Sequence, residues 1–208
     1  MDADGLTFAC ATTAEERVAK RAGLRAVRVG LRAANGVPDV PVVSFGLAGA
    51  LDDALNIGDV IDATRVVDAS GATLWQGGGL GVDGARAGTV LASDVLVHDA
   101  GERRRLRAAS GADAVDMESG VLAQSGRLAG VVRVISDDAA SAIEGVDETI
   151  HDDGRTDVVG LVRWIARQRG DAIRSLKGAV VALKALEHAV LNSGARPRTG
   201  PGSIEGAT

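Results

Sequence analysis

The run Gly130-Val131-Val132-Arg133-Val134-Ile135 constrains this chain more than any other stretch. Apart from Arg133 it has no polar face, so it reads as a strand buried on both sides, as in the interior of an α/β sheet. It ends abruptly in Ser136-Asp137-Asp138. A strand that delivers carboxylates at its C-terminal end is how open α/β sheets present chemistry to a ligand crevice. Arg133 is costly in such a strand unless a carboxylate or a bound anion pairs with it. A second acidic cluster, Val115-Asp116-Met117-Glu118-Ser119, lies upstream. The small and apolar residues 120–129 between the two clusters suit a buried helix. Glu118, Arg133 and Asp137 are therefore expected to converge in one pocket.

The rest of the chain alternates strand and helix signals, which gives an α/β class. Residues 6–11 form a first strand, Thr12-Thr13 a loop or N-cap, and residues 14–21 a helix with Glu15 and Glu16 in its first turn. Strands follow at 26–30 and 41–46, the latter opening into a Gly46-Leu47-Ala48-Gly49 turn. A long apolar strand covers 59–67. A hairpin-like stretch runs from 72–75 to 88–92, through a Gly-rich segment 77–84 that is either a flexible turn or a lid. Residues 100–109 form a basic-faced helix stopped by Gly111, with Arg103, Arg104, Arg105 and Arg107 read as a solvated face. Residues 143–157 suggest a surface loop. Helices are expected over 158–168 and 172–191.

A chain of 208 residues supports one domain, here 1–191, with a Gly-, Ser- and Pro-rich tail at 192–208 expected to be disordered. The net charge of -5 argues against electrostatic nucleic-acid binding. No apolar run reaches membrane-spanning length, so a cytoplasmic protein is expected. The single cysteine, Cys10, lies in the first strand and reads as inert core. His98, His151 and His188 have no metal-ligand spacing.

Three motifs together carry a family resemblance: residues 45–51 leading to Gly58-Asp59-Val60; Val115-Asp116-Met117-Glu118-Ser119; and Arg133-Val134-Ile135-Ser136-Asp137. Their order and spacing resemble the nucleoside phosphorylase and nucleosidase superfamily, which includes the methylthioadenosine/adenosylhomocysteine nucleosidases. Looser similarity at residues 14–19, 44–46, 93–94, 111–119 and 173–186 resembles the hopanoid-associated branch. The resemblance implies a three-layer αβα sandwich around a twisted mixed sheet, in a homodimer. It implies release of adenine from an adenosyl compound, adenosylhopane by the narrower branch, which would place the protein near a membrane surface. It implies no cofactor, with phosphate as co-substrate if the reaction is a phosphorolysis.

The resemblance also distributes roles. Asp137 would protonate the leaving base, oriented by Ser136 and helped by Asp138. Glu118 would accept hydrogen bonds from ribose hydroxyls, with Met117 and Val115 beside it. Glu15 or Glu16, with Arg133, would manage the nucleophile. Backbone groups of Gly46, Leu47, Ala48 and Gly49 would approach the sugar or nucleophile closely. Asp116 reads as a solvated acid. Leu47 departs from the Ser or Thr of many superfamily members, which weakens phosphorolysis. The rivals are a methylthioadenosine/adenosylhomocysteine nucleosidase, a purine nucleoside phosphorylase and a nucleoside-binding protein without turnover.

Overall fold

The computed structural model describes residues 6–97, 99–139 and 171–192. The expectations for the loop at 143–157, the helix at 158–168, the tail beyond 192, His98 and His151 lie outside them. In chain order the elements are β1 (Thr7–Cys10), α1 (Thr13–Arg21), β2 (Ala26–Arg28), a 3-10 turn (Leu31–Ala33), β3 (Val42–Ala50), β4 (Val60–Val67), β5 (Thr73–Gln76), β6 (Arg86–Ala92), α2 (Ala100–Ser110), β7 (Ala114–Asp116), α3 (Ser119–Gln124), β8 (Leu128–Asp137) and α4 (Asp171–Asn192).

The sheet is mixed, as expected. Its order is β2-β1-β3-β7-β6-β4-β5, and β8 pairs with both β3 and β4. β8 runs parallel to β3 and antiparallel to β4. This double pairing closes β3, β8, β4, β6 and β7 into a ring, leaving β1, β2 and β5 as flanking strands. β8 has no free edge, and a core covers each of its faces, which is why its sequence is apolar on both. Alternation along it sends Val132 and Val134 to a core shared with Val18 and Ala19 of α1 and Ala182 and Leu186 of α4. Val131 and Ile135 face the opposite core, with Ile61, Ala63, Val90 and Leu122 of α3. Arg133 lies between those two residues, on their side of β8.

Three local expectations are corrected. Gly46 to Gly49 is not a turn but the second half of β3, a nine-residue strand. Continuous pairing with β8 on one edge holds it extended, while the other edge passes from β1 to β7. β5 and β6 do not form a hairpin together: β5 returns antiparallel along β4, and β6 lies parallel on the other edge of β4. The helix after Glu118 ends at Gln124, so Leu128 and Ala129 already belong to β8.

The Gly-rich segment 77–84 is not a free turn. The buried Asp62 carboxylate accepts from the amides of Leu80 (2.8 Å), Gly81 (2.7 Å) and Val82 (3.1 Å). Leu80 is driven into the core against Gly130, whose hypothetical Cβ would stand 2.8 Å from it. A cavity of about 550 Å³ lies under this segment, lined by Asp62, Thr64, Val82 and Asp83 among others. Its lining includes none of Glu15, Asp116, Glu118 and Asp137.

Candidate active site

Two clusters form along the second half of β3, one level with Gly46 and one level with Gly49. Register sets both: Gly46 stands beside Arg133 and Gly49 beside Asp137. Three residues of strand separate them by about 10 Å, a distance that a ribose joined to a purine can bridge.

The first cluster is built around Arg133, which is fully buried. Its partner is Asp116 at the end of β7, with Nε 2.6 Å and Nη2 2.5 Å from Oδ2. Nη2 also donates to Ser44 Oγ (2.6 Å) and lies 3.5 Å from Glu118 Oε2. Asp116 further accepts from the Ser119 hydroxyl and from its amide at 3.2 Å. The expectation of a solvated Asp116 is therefore wrong: a buried guanidinium needs a buried anion, and β7 delivers one. With these donors Asp116 is saturated, whereas Glu118 keeps acceptor capacity. Burial opposes charge on Arg133, but Asp116, Glu118 and Glu15 outweigh it and hold the guanidinium ionised.

Glu15 and Glu16 part company. Thr12 caps α1, and Glu15 closes the reciprocal capping box. Its Oε2 accepts from the Thr12 amide (2.7 Å) and hydroxyl (2.9 Å), and its Oε1 from the Leu47 amide (2.9 Å). Three donors on a carboxylate with about four acceptor sites leave room for one more. Glu15 is buried, while Glu16 pairs along the outside of the helix with Lys20 at 2.6 Å. Glu15 reaches β3 because residue 46 is glycine. A Cβ there would overlap Glu15 Oε1 and stand 2.7 Å from Arg133 Nη1. That Nη1 is buried without a hydrogen-bond partner among the described residues. Glu15 contributes to the field at Arg133, although the ion pair itself is with Asp116 and Glu118.

Glu118 stands at the N-cap position of α3, with half-buried Met117 before it and buried Val115 in β7. Its Oε1 accepts from the Arg32 amide at 3.2 Å. That amide is presented by Arg32 and Ala33, both in the left-handed region at φ 51° and 57°. Such backbone costs on the order of 1–3 kcal/mol per residue and clusters where function over-determines geometry. Burial pushes the Glu118 carboxyl up to about 8; Arg133 pulls it down, Asp116 and Glu15 push it further, and the Arg32 amide pulls it back.

The second cluster belongs to Asp137. Its Oδ1 accepts from Ser136 Oγ at 2.7 Å, as expected, while Ser136 Oγ also lies 3.3 Å from the Ala48 carbonyl. One hydroxyl hydrogen serves only one of these at a time. Its Oδ2 meets the guanidinium of Arg103, from α2. Arg103 was expected on a solvated helix face; Arg104 and Arg105 are indeed exposed, but Arg103 is 2% exposed. Arg103 is a charge facing Asp137 that the sequence did not announce, and the Asp138 carbonyl accepts from Arg103 Nη1 at 2.8 Å. Asp137 and Glu118 thus lie at separate stations rather than in one cluster. Sequence reasoning missed Arg103, Ser44, Ser119 and the Arg32 amide as parts of the site. Ser44, polar within an apolar strand, was the one readable signal.

Cys10 is fully buried, and burial pushes its thiol well up, which suits core packing.

Neither a protein-family model nor a curated protein sequence matches the chain. Solved structures do. A methylthioadenosine/adenosylhomocysteine nucleosidase from Colwellia psychrerythraea, in complex with adenine, is similar with a TM-score of 0.56 at 16% identity, over 87% of this chain and 95% of that one. The fold is the one these nucleosidases share. The nucleosidase of Helicobacter pylori with 5′-methylthioadenosine in its active site has a TM-score of 0.54 at 16% identity, over 85% of this chain and 97% of that one. The futalosine hydrolase of the same organism has a TM-score of 0.50 at 16% identity, over 84% and 96%. No helix among the described residues is long and apolar enough to cross a membrane.

Proposed function

We propose that this chain is a hydrolase that cleaves the N-glycosidic bond of an adenosyl compound and releases adenine, with adenosylhopane as its substrate. The observation that carries the reading is the buried cluster of three carboxylates, Glu15, Asp116 and Glu118, around the single guanidinium of Arg133. Even with Glu118 protonated this cluster keeps a net negative charge. Such a site favours a ribosyl centre that turns positive as its bond to the base breaks, and the low dielectric strengthens the effect. Glu118 would take the ribose hydroxyls. Water would bond to C1′ and lose its proton to the acceptor site left on Glu15. As the C1′–N9 bond breaks, its electron pair enters the purine and Asp137 passes a proton to N7, so that adenine leaves neutral.

The same charge argues against phosphate as the nucleophile. A dianion would meet an excess of carboxylates, and the Leu47 amide that could cradle it is already bonded to Glu15. For the 5′ end, Val95 is an exposed apolar residue two positions after Ser93, whose amide donates to the Asp116 carbonyl. That suits a hydrophobic 5′ substituent.

The test is adenine release from adenosylhopane, 5′-methylthioadenosine and S-adenosylhomocysteine, each with and without phosphate. The reading expects fastest release from adenosylhopane, no phosphate requirement, and a product with a free anomeric hydroxyl. No release from any of the three would refute it. Phosphate-dependent release would refute only the choice of nucleophile.

A further inference from the structure

Arg103 has no role in the reaction proposed so far, yet it is the most fully committed side chain in the second cluster. Its five N–H groups converge on three separate segments. Nε and Nη2 donate to the Val97 carbonyl at 3.0 and 2.8 Å, on the approach to α2. Nη1 donates to the Asp138 carbonyl at 2.8 Å, just beyond β8, and to the Ala50 carbonyl at 3.4 Å, at the end of β3. Nη2 completes the set against Asp137 Oδ2. A planar fork held by four hydrogen bonds and an ion pair to Asp137 has one orientation only. Gly49 lets the pair close up: a Cβ there would stand 3.0 Å from Asp137 Oδ2 and 3.4 Å from Arg103 Nη2.

Asp137 is thereby held from both sides, with Ser136 on Oδ1 and Arg103 on Oδ2. A carboxylate pinned this way presents a fixed plane. An oxygen that faces a guanidinium cannot also carry a proton towards it, so the proton that serves a leaving base is confined to Oδ1. We infer that Arg103 is a positioning residue for leaving-group departure: it fixes the plane of Asp137 and directs the transferable proton to Oδ1. This rests on the adenine-releasing reading. In the transfer, the Oδ1–H bond breaks as the N7–H bond forms, and the C1′–N9 electron pair stays with the base. The carboxylate left behind is matched by the charge already on Arg103.

Two substrates separate this role from a structural one, because a 4-nitrophenyl riboside expels a stable phenolate without protonation. Variants Arg103→Met, Arg103→Lys, Asp137→Asn and the double Asp137→Asn/Arg103→Met are compared with wild type on an adenosyl substrate and on the riboside. Loss of a positioned acid costs about 100-fold or more. Arg103→Met should therefore lose about 100-fold in kcat for adenine release, with KM changed little, and only a few-fold on the riboside. Arg103→Lys should recover part of the loss. Adding Arg103→Met to Asp137→Asn should cost no more than about 3-fold further, since coupled residues are not additive.

Equal losses on both substrates, or a second full loss in the double variant, would overturn the inference. If Arg103→Met fails to fold, Arg103→Lys carries the same comparison, and equal loss on both substrates is again the refuting result. An Asp137→Asn variant that releases adenine at the wild-type rate would refute the acid role and this inference together. An Asp137→Asn loss beside an unaffected Arg103→Met would refute this inference alone.

Discussion

Replacing Glu118 with glutamine should change how stability depends on pH, in a direction fixed by the buried cluster. The Glu118 carboxyl is pushed from 4.5 up to about 8 in the folded protein, chiefly by burial. The native state therefore binds this proton more tightly than the unfolded chain does. The stabilisation is fully present below pH 4.5 and is lost as the pH rises through about 8. Each unit of separation corresponds to about 1.4 kcal/mol, so forcing the folded protein to ionise Glu118 costs on the order of 5 kcal/mol. A glutamine side chain has nearly the same shape and no charge at any pH. The stability of Glu118→Gln relative to wild type should climb by a few kcal/mol between pH 5 and 9, while titrations common to both proteins cancel. Urea unfolding at five pH values across that range measures the difference directly. Parallel curves, constant to within about 0.5 kcal/mol, would refute the claim that burial in a net-negative cluster outweighs Arg133 and the Arg32 amide at this carboxyl.

Three further perturbations address the geometry. Gly46→Ala should reduce turnover by more than about 100-fold and cost about 1–3 kcal/mol in a melt, because the new methyl occupies the space of Glu15 Oε1; near-wild-type turnover would mean that Glu15 is not needed there. Glu15→Gln should abolish adenine release, whereas Glu16→Gln should lose only its pair with Lys20 and remain active in the same assay. Asp62→Ala should destabilise by about 2–4 kcal/mol, since it strands the Leu80, Gly81 and Val82 amides, and hydrogen exchange should speed up across residues 78–85.

The parts of this molecule that were legible in its sequence are those governed by local chemistry. Thr12 with Glu15 is a capping pair three residues apart, Gly111 takes the left-handed C-cap of α2, and the apolar run at β8 announces a strand covered on both faces. The order of motifs carried the fold class. What escaped was long-range. Nothing near residue 103 distinguishes it from Arg104 or Arg105; only the docking of α2 over the ends of β3 and β8 does so. Asp116 looked like its solvated neighbours because its partner, Arg133, lies 17 positions away. The turn expected at Gly46 to Gly49 fails for a related reason: small residues there serve close approach by Glu15, Arg133 and Asp137, not chain reversal. Glycine spells both meanings alike.

The parallel register of β3 and β8 slips at both ends of the pairing, and the second slip lies between Ala48 and Gly49, because Ile135 stands opposite the first and Asp137 opposite the second. One additional residue, Ser136, is thus spliced into β8 just after the buried arginine and just before the acid. Removing it would restore regular pairing and turn every side chain beyond Ile135 to the other face, without moving Arg133. The two ends of the site are consequently separate modules of inheritance. A single-codon deletion could erase the end proposed to serve a leaving base while leaving the end proposed to hold the sugar intact, so that the two could diverge independently.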